Sequence, residues 1–320
     1  MDKEVVILLN MGGPNDLSEV KVFLKNMFND KYILPLKSAF LRSILAWFIT
    51  AMRQKEASES YKALGGKSPI AGLSKSLCEK LNAAQNRFHF DFAMNYTPPF
   101  AKDVLARYKG AKKITFFPLY PHHSQTTVLS SLDDATAAAK MHEISGIKVI
   151  EPFYKDESFN EILINDIKKT CAAAGFSPND THLIFSAHSL PVSIIKAGDL
   201  YEKHTNAHVS LLSKSLDFKG IHLAYQSRLG PVEWLGPNIS AVLEGLKGQN
   251  VLVYPISFCI DCSESDFELD IMFREHASKV GIAKYAVVKA PNDSDGFVDY
   301  IIQKCEKSVI AREQSDRSNL

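Results

Sequence analysis

Short, wholly apolar runs alternate with longer stretches in which apolar residues return every three or four positions. Residues 5–9 (VVILL) run unbroken and stop at Met11-Gly12-Gly13-Pro14, after which residues 17–28 carry apolar side chains at helical spacing. The pattern predicts a strand, a tight turn and a helix, the opening of an α/β unit. Further strands are predicted at 88–96, 113–119 and 147–151. Helices are predicted over 71–84, from Pro98-Pro99 through 109, after the polar turn that follows residue 119, and over 157–174.

The second half repeats the plan. HLIFSAHSLP corresponds to VVILLNMGGP, each a strand, a turn and a proline. IHLAYQSRLGP with a helix over 238–247 corresponds to FHFDFAMNYTPP and its helix, and NVLVYPISFCIDCSESDFELD corresponds to KITFFPLYPHHSQTTVLSSLDD. A strand over 283–289 matches the one near 147–151. The expected fold class is α/β, with two similar Rossmann-like domains, each built on a mostly parallel sheet. The expected division is residues 1–155 and 156–294, with a last helix over 295–311 crossing back to the first domain. A cleft between the domains is the expected ligand site.

One stretch breaks the beat. Within residues 32–52, Leu41, Ile44, Leu45, Phe48, Ile49 and Met52 share one helical face, with Trp47 beside them. Two readings stand: a helix buried in the core, or an apolar lip that covers a flat apolar ligand or touches a membrane surface.

Composition narrows the class. The 320 residues are 46% hydrophobic and 23% charged, the balance of a water-soluble protein with a sizeable core. A net charge of +1 argues against general attraction to nucleic acid. The N-terminal apolar run is too short for a cleavable signal, and no run is long enough to span a bilayer. Five scattered cysteines are expected to be reduced thiols in the cytoplasm.

Candidate chemistry sits at two strand ends. LIFSAHSLP, residues 183–191, reads as a buried strand stopping at a polar turn, which puts His188 where open parallel sheets bind ligands. Its imidazole exchanges a proton near neutral pH. After the strand over 251–258, a helix is expected over 261–274, and Glu264 and Glu268, four apart, share one of its faces, with Asp261 and Asp266 nearby. Such a pair is often only a solvated face. Facing a histidine in one pocket, it fits a divalent-metal or proton-transfer site. Cys259 and Cys262 form a CxxC at the same turn; a redox pair and a metal site compete there with a plainer reading, Cys259 as a small buried hydrophobe and Cys262 as a thiol in the site wall.

FSAHSLP at 185–191, YQSRLGPVEWLGP at 225–237 and FELDI at 267–271, with LNMGGP at 9–14 and GGKSPI at 65–70, resemble the ferrochelatase family, in order, over roughly residues 4–290. The resemblance implies two Rossmann-like domains around a porphyrin cleft, and insertion of Fe2+ into protoporphyrin IX with release of two protons at the end of haem synthesis. It implies His188 as proton acceptor and metal contact, Glu264 as the carboxylate beside it and second metal contact, and Glu268 as the next acid in line. It implies that Met11 and Tyr120 face the macrocycle, that Tyr61 and Ser68 fall in a wall segment of the substrate site, that Trp234 also belongs to that site, and that Arg53 meets a propionate. The lip reading fits the family's apolar mouth, with peripheral membrane contact through residues 36–52. Two departures stand out. Cys262 occupies a place where many members have histidine. Gln125 stands where some members have a cluster-binding cysteine, and no cysteine follows Cys305, so no iron–sulfur cluster is expected. Fe2+ enters as substrate, no cofactor is expected, and the chain is expected to be a monomer. A coproporphyrin III enzyme, a non-catalytic porphyrin carrier and a thiol-disulfide protein are the alternatives.

Overall fold

The structure, a computed structural model, describes residues 3–318, with side chains described through residue 309. The first half of the chain holds β1 (Glu4–Asn10), α1 (Val20–Phe28), α2 (Ala39–Ala63), α3 (Ile70–Ala84), β2 (Phe88–Met94), α4 (Ala101–Leu105), β3 (Ile114–Pro118), α5 (Ser130–Met141) and β4 (Ile147–Val149). The second half holds α6 (Glu157–Ala173), β5 (Thr181–His188), α7 (Val192–Lys196), α8 (Tyr201–Leu212), β6 (Gly220–Gln226), α9 (Ile239–Gly245), β7 (Asn250–Pro255), α10 (Phe273–Val280), β8 (Lys284–Val287) and α11 (Asp295–Ser318).

The strands form two four-stranded sheets, ordered β2-β1-β3-β4 and β6-β5-β7-β8. Every pairing is parallel, with Val6 opposite Phe90 and Thr115, and Leu183 opposite Ile221 and Leu252. The internal repeat is therefore real at the level of topology. Strands covered on both faces read as unbroken apolar runs, which is why 5–9 and 183–185 were legible.

Alternate residues of each strand feed different cores. Val6 and Leu8 of β1, with Leu183 and Phe185 of β5, enter one continuous core shared by both sheets. Ile7 and Leu9 turn instead toward α4 and α5, and Ile184 and Val253 toward α9 and α10. An aromatic knot joins the halves: Phe153 lies 4.9 Å from Phe159 and 5.6 Å from Phe117, and Phe159 lies 5.4 Å from Tyr300 of α11. Each such ring buried contributes roughly 1.5–3 kcal/mol. α11 packs on both α6 and α3.

The turn after β1 requires its glycines. Gly12 adopts φ +84°, and a Cβ there would lie 2.5 Å from Thr97 Oγ1. A Cβ on Gly13 would lie 2.7 Å from both Cβ and Oγ of Ser68. Thr97 Oγ1 completes the turn, accepting from Gly13 N–H and donating to its carbonyl, both at 3.1 Å.

Three expectations change. First, the unusual helix begins at Ala39 and runs on to Ala63, because Arg, Gln, Lys, Glu and Ala after residue 52 are strong helix formers. Its packed side is made of small residues, with Ala46 and Thr50 buried, and ends on Tyr61. The large apolar side chains turn outward: Phe40 is 73% exposed, Trp47 63% and Met52 67%. The core-helix reading fails: the large apolar face is exposed. Second, the helix expected over 261–274 is a π-type coil over Glu264–Met272 that passes into α10. The turn after β3 opens the same way at Gln125–Leu129, so both repeats carry this rare geometry at one topological place. Third, β7 ends at Pro255 and β4 spans only Ile147–Val149.

Candidate active site

A cleft opens between the carboxyl ends of the two sheets. Asn10 and Met11 line it from the end of β1, and Tyr120, His122 and Thr126 from the turn after β3. His188 and Leu190 line it from the end of β5, and Phe258, Cys259 and Glu264 from the turn after β7. Strand ends of parallel sheets converge there because each strand hands its chain to a helix on the same side. A larger opening between β4 and α11 is lined by charged surface residues such as Lys148, Glu151 and Lys307 and contains none of the expected site residues.

His188 is the last residue of β5 and half-buried. Its Nδ1 lies 2.7 Å from the Ser189 carbonyl, which can only accept. Nδ1 therefore carries the proton of the neutral ring, and Nε2 keeps the lone pair. The His188 N–H donates to Ser257 Oγ at 3.2 Å, and Ser257 is held by the buried Tyr201 hydroxyl at 2.5 Å.

The acids are held from behind by Gln226, which is fully buried at the end of β6. Its Oε1 accepts from Ser186 Oγ at 2.5 Å, two residues before His188. Its Nε2 donates to the Glu264 carbonyl at 2.9 Å and to Glu268 Oε2 at 3.3 Å. One amide thus ties the histidine strand to the acidic coil. Ser227 adopts φ +65°, unusual for serine, and donates to Glu268 Oε2 at 2.6 Å. Glu264 Oε2 accepts from Ser263 Oγ at 2.9 Å, and the Tyr61 hydroxyl reaches Ser263 Oγ at 3.3 Å, linking α2 to the same acid.

Burial first, and the neighbouring Glu264 second, push the Glu268 carboxyl up to about 7. The hydrogen bonds from Ser227 and Gln226 and the charge of Arg53 oppose that rise. Glu268 therefore exchanges a proton near neutral pH, which suits relay work.

Of the sequence-predicted site residues, Met11, Tyr120, His188 and Glu264 share the cleft lining. Glu268 stands behind Glu264, and Tyr61 touches the acid through Ser263. Arg53 is ion-paired to Glu56 at 3.4 Å, and its charge is felt at Glu268. Ser68 is buried against Gly13 rather than in the lining, with its N–H on the Pro14 carbonyl at 2.8 Å. Trp234 sits in the loop whose neighbour Leu235 donates to the Leu190 carbonyl at 3.0 Å, and it does not line the cleft. Asp261 turns away to bind Asn292 and the Ala290 N–H, and Asp266 pairs with Lys289 at 2.7 Å. Cys259 and Cys262 are buried free thiols that burial pushes upward, inert forms rather than thiolates.

Sequence reading passed over His122, Gln226, Ser227, Tyr201 and Ser257. For His122 a signal existed, since its turn corresponds in the repeat to the one carrying Cys259 and Glu264. For the others, separations of 38 to 69 residues hide the contact.

Two parallel sheets with a polar constellation at their facing strand ends define a chelatase-type α/β protein. The solved structure of SirB from Bacillus subtilis with Fe3+ superposes with a TM-score of 0.59 at 10% identity, covering 98% of each chain. CbiX, described as the terminal enzyme for siroheme biosynthesis in denitrifying bacteria, gives 0.56 at 11% identity over 95% of this chain and 99% of that one. These likenesses speak for the fold. The ferrochelatase family model matches residues 3–309, and the chain belongs to the ferrochelatase family, lyases that insert iron into a porphyrin in haem biosynthesis. Ferrochelatase of Campylobacter fetus is 58% identical over 315 residues, 96% of this chain and all of that one. Those of Campylobacter jejuni and Sulfurimonas denitrificans are 50% and 44% identical, each over 94% of this chain and 98% of its own length.

Proposed function

We propose that the chain inserts Fe2+ into protoporphyrin IX in this cleft, with His188 Nε2 as the acceptor of the ring N–H protons. The observation that carries the reading is that His188 and Glu264, 76 positions apart in sequence, line one cleft at the strand ends of the second sheet. A free-base ring holds two N–H protons in its plane, and both must leave as the metal enters. The neutral His188 ring accepts a proton at Nε2 while Nδ1–H stays on the Ser189 carbonyl. Glu264 and Glu268, one turn apart, form an oxygen-lined path for departing protons or arriving Fe2+, a borderline cation that accepts carboxylate ligands. Proton exchange near 7 at Glu268 supports that path.

The cleft lining is largely apolar, with Met11, Leu119, Phe258 and Ile260, and includes no lysine or arginine among the described residues. That favours a dicarboxylate ring over the tetracarboxylate coproporphyrin III, whose extra charges need more cations. Arg53, with its forked donors, serves a propionate at the mouth. We read the chain as a monomer, with the cleft lined by residues of a single chain. No helix among the described residues is long and apolar enough to cross a membrane. The outward face of α2 supports peripheral contact with a membrane from the cytoplasm, through which a greasy ring is taken up.

His188→Ala tests the reading. Metal insertion, followed by the visible spectrum after mixing porphyrin with Fe2+ or Zn2+ without oxygen, is expected to vanish while porphyrin binding persists; Glu264→Gln is expected to lower turnover severely. A carrier needs none of these groups, so robust insertion by His188→Ala overturns the assignment.

A further inference from the structure

Two walls of the cleft are tied to each other through a buried carboxylate. Asp199 lies between α7 and α8, eleven positions after His188, and is 6% exposed. Its Oδ2 accepts from the Gln125 N–H at 2.7 Å and from Ser124 Oγ at 3.1 Å, both in the turn after β3. Its Oδ1 accepts from the Tyr201 N–H at 2.8 Å, at the start of α8. Three donors from two parts of the chain thus satisfy one buried acceptor.

Both sides of this tie lead to the cleft. Ser124 Oγ gives its proton to Asp199, accepts from the Thr126 N–H at 3.2 Å and lies 2.9 Å from the Thr126 hydroxyl. The carboxylate and Ser124 together cap the π-type coil Gln125–Leu129, which runs on into α5. Ser124 and Thr126 line the cleft on the side of the first sheet. On the other side Tyr201 lines the cleft, and its hydroxyl lies 2.5 Å from Ser257 Oγ, which accepts from the His188 N–H at 3.2 Å. One oxygen of Asp199 therefore holds the coil of the first sheet, and the other holds the residue that supports the His188 backbone. The walls cannot part here without exposing or orphaning buried donors.

We propose that Asp199 is a positioning residue that sets the gap between these two walls, and with it the strain the cleft puts on the bound ring. Metal enters only when the ring bends enough to turn its nitrogen lone pairs out of plane, and a gap free to widen lets the ring relax to flat. Asp199 does not line the cleft; it acts through Ser124 and Thr126 on one side and through Tyr201 on the other. Apolar contact with a flat disc survives a looser gap better than strain does, so the loss falls on turnover rather than on affinity. The proposal rests on the ring occupying this cleft, as argued above.

Asp199→Ala cuts both sides of the tie. Its kcat for Zn2+ insertion into protoporphyrin IX is expected to fall about ten- to a hundredfold, the scale of a reacting geometry displaced by up to ~1 Å, with KM for the porphyrin within about twofold. The out-of-plane bands in the resonance Raman spectrum of bound nickel protoporphyrin, which report ring bending, are expected to weaken in step. Gln125→Pro removes only the N–H that lies 2.7 Å from Asp199, at the first position of the coil, where proline is tolerated after the extended Ser124. It is expected to move kcat and the bands the same way, and to add little to Asp199→Ala in the double variant, because both cut one contact. A raised KM with kcat at the parent level overturns the proposal. So does a lowered kcat with unchanged bands, or full additivity in the double variant. Should Asp199→Ala not fold, Gln125→Pro decides by the same readings of kcat, KM and bands. His188→Ala assayed alongside separates the two ideas, since persistent insertion there sinks the site assignment, whereas lost insertion there with parent-like kcat and bands in Asp199→Ala sinks only this one.

Discussion

Glu268→Gln is expected to make the metal-free, ligand-free protein more stable at alkaline pH while impairing the reaction. The carboxyl titrates at about 7 in the fold against an ordinary 4.5. At about 1.4 kcal/mol per pKa unit, that gap is worth about 3 kcal/mol. The folded chain binds this proton more tightly than the unfolded chain. The stability it confers is therefore present in full below about 4.5, drains away as pH rises toward 7, and is gone above that. The cause is burial beside Glu264, which Ser227 and Gln226 offset only in part. An amide at the same place carries no charge to bury and keeps an acceptor for the Ser227 hydroxyl. Thermal melts of both proteins from pH 5 to 8 are the assay. The variant should match the parent near pH 5 and exceed it by on the order of 5 °C at pH 8, since 1 kcal/mol moves a midpoint by about 2–4 °C in chains of 150–250 residues. Other titrating groups are common to both and cancel in the difference. Parallel curves for the two proteins would refute the reasoning, because they would mean that Glu268 sheds its proton in the fold as easily as in the unfolded chain. Stability gained with function lost is the expected sign of an acid kept for its chemistry.

Two further expectations concern the frame around the site. Gly13→Ala should lower the urea midpoint by the equivalent of about 1–3 kcal/mol, because the new Cβ lies 2.7 Å from Ser68 Cβ and Oγ. Ser68→Gly in the same chain should recover most of that loss, and no recovery would place the conflict elsewhere. The paired change Trp47→Glu and Phe48→Glu on the outward face of α2 should cut co-sedimentation with anionic lipid vesicles at least tenfold, as each large apolar side chain withdrawn from an apolar phase costs about 1.5–3 kcal/mol. Its melting point should hardly move, and vesicle binding equal to the parent would remove the lip from membrane contact.

What the amino-acid order alone determined was whatever neighbours in the chain encode. Apolar runs and their punctuation located the strands and their duplication, since a strand covered on both faces must be apolar throughout. LNMGGP marked a turn whose glycines the packing demands, and FSAHSLP marked a strand end that does border the cleft. Tertiary structure alone decided what depends on one element's place against another. The apolar face of α2 could as well have been core, and it turned outward because Ala46 and Thr50 let α1 approach closely on the other side. The π-type coil at Glu264 kept the two acids one turn apart while handing their support to Gln226, 38 positions earlier. The neutral imidazole at 122 gets its tautomer from His208, 86 positions away, and His208 gets its own from Asn160, 48 positions back. Periodicity is written locally in a chain. Which lone pair a buried ring keeps is settled only when distant segments pack and each buried donor takes the acceptor left to it.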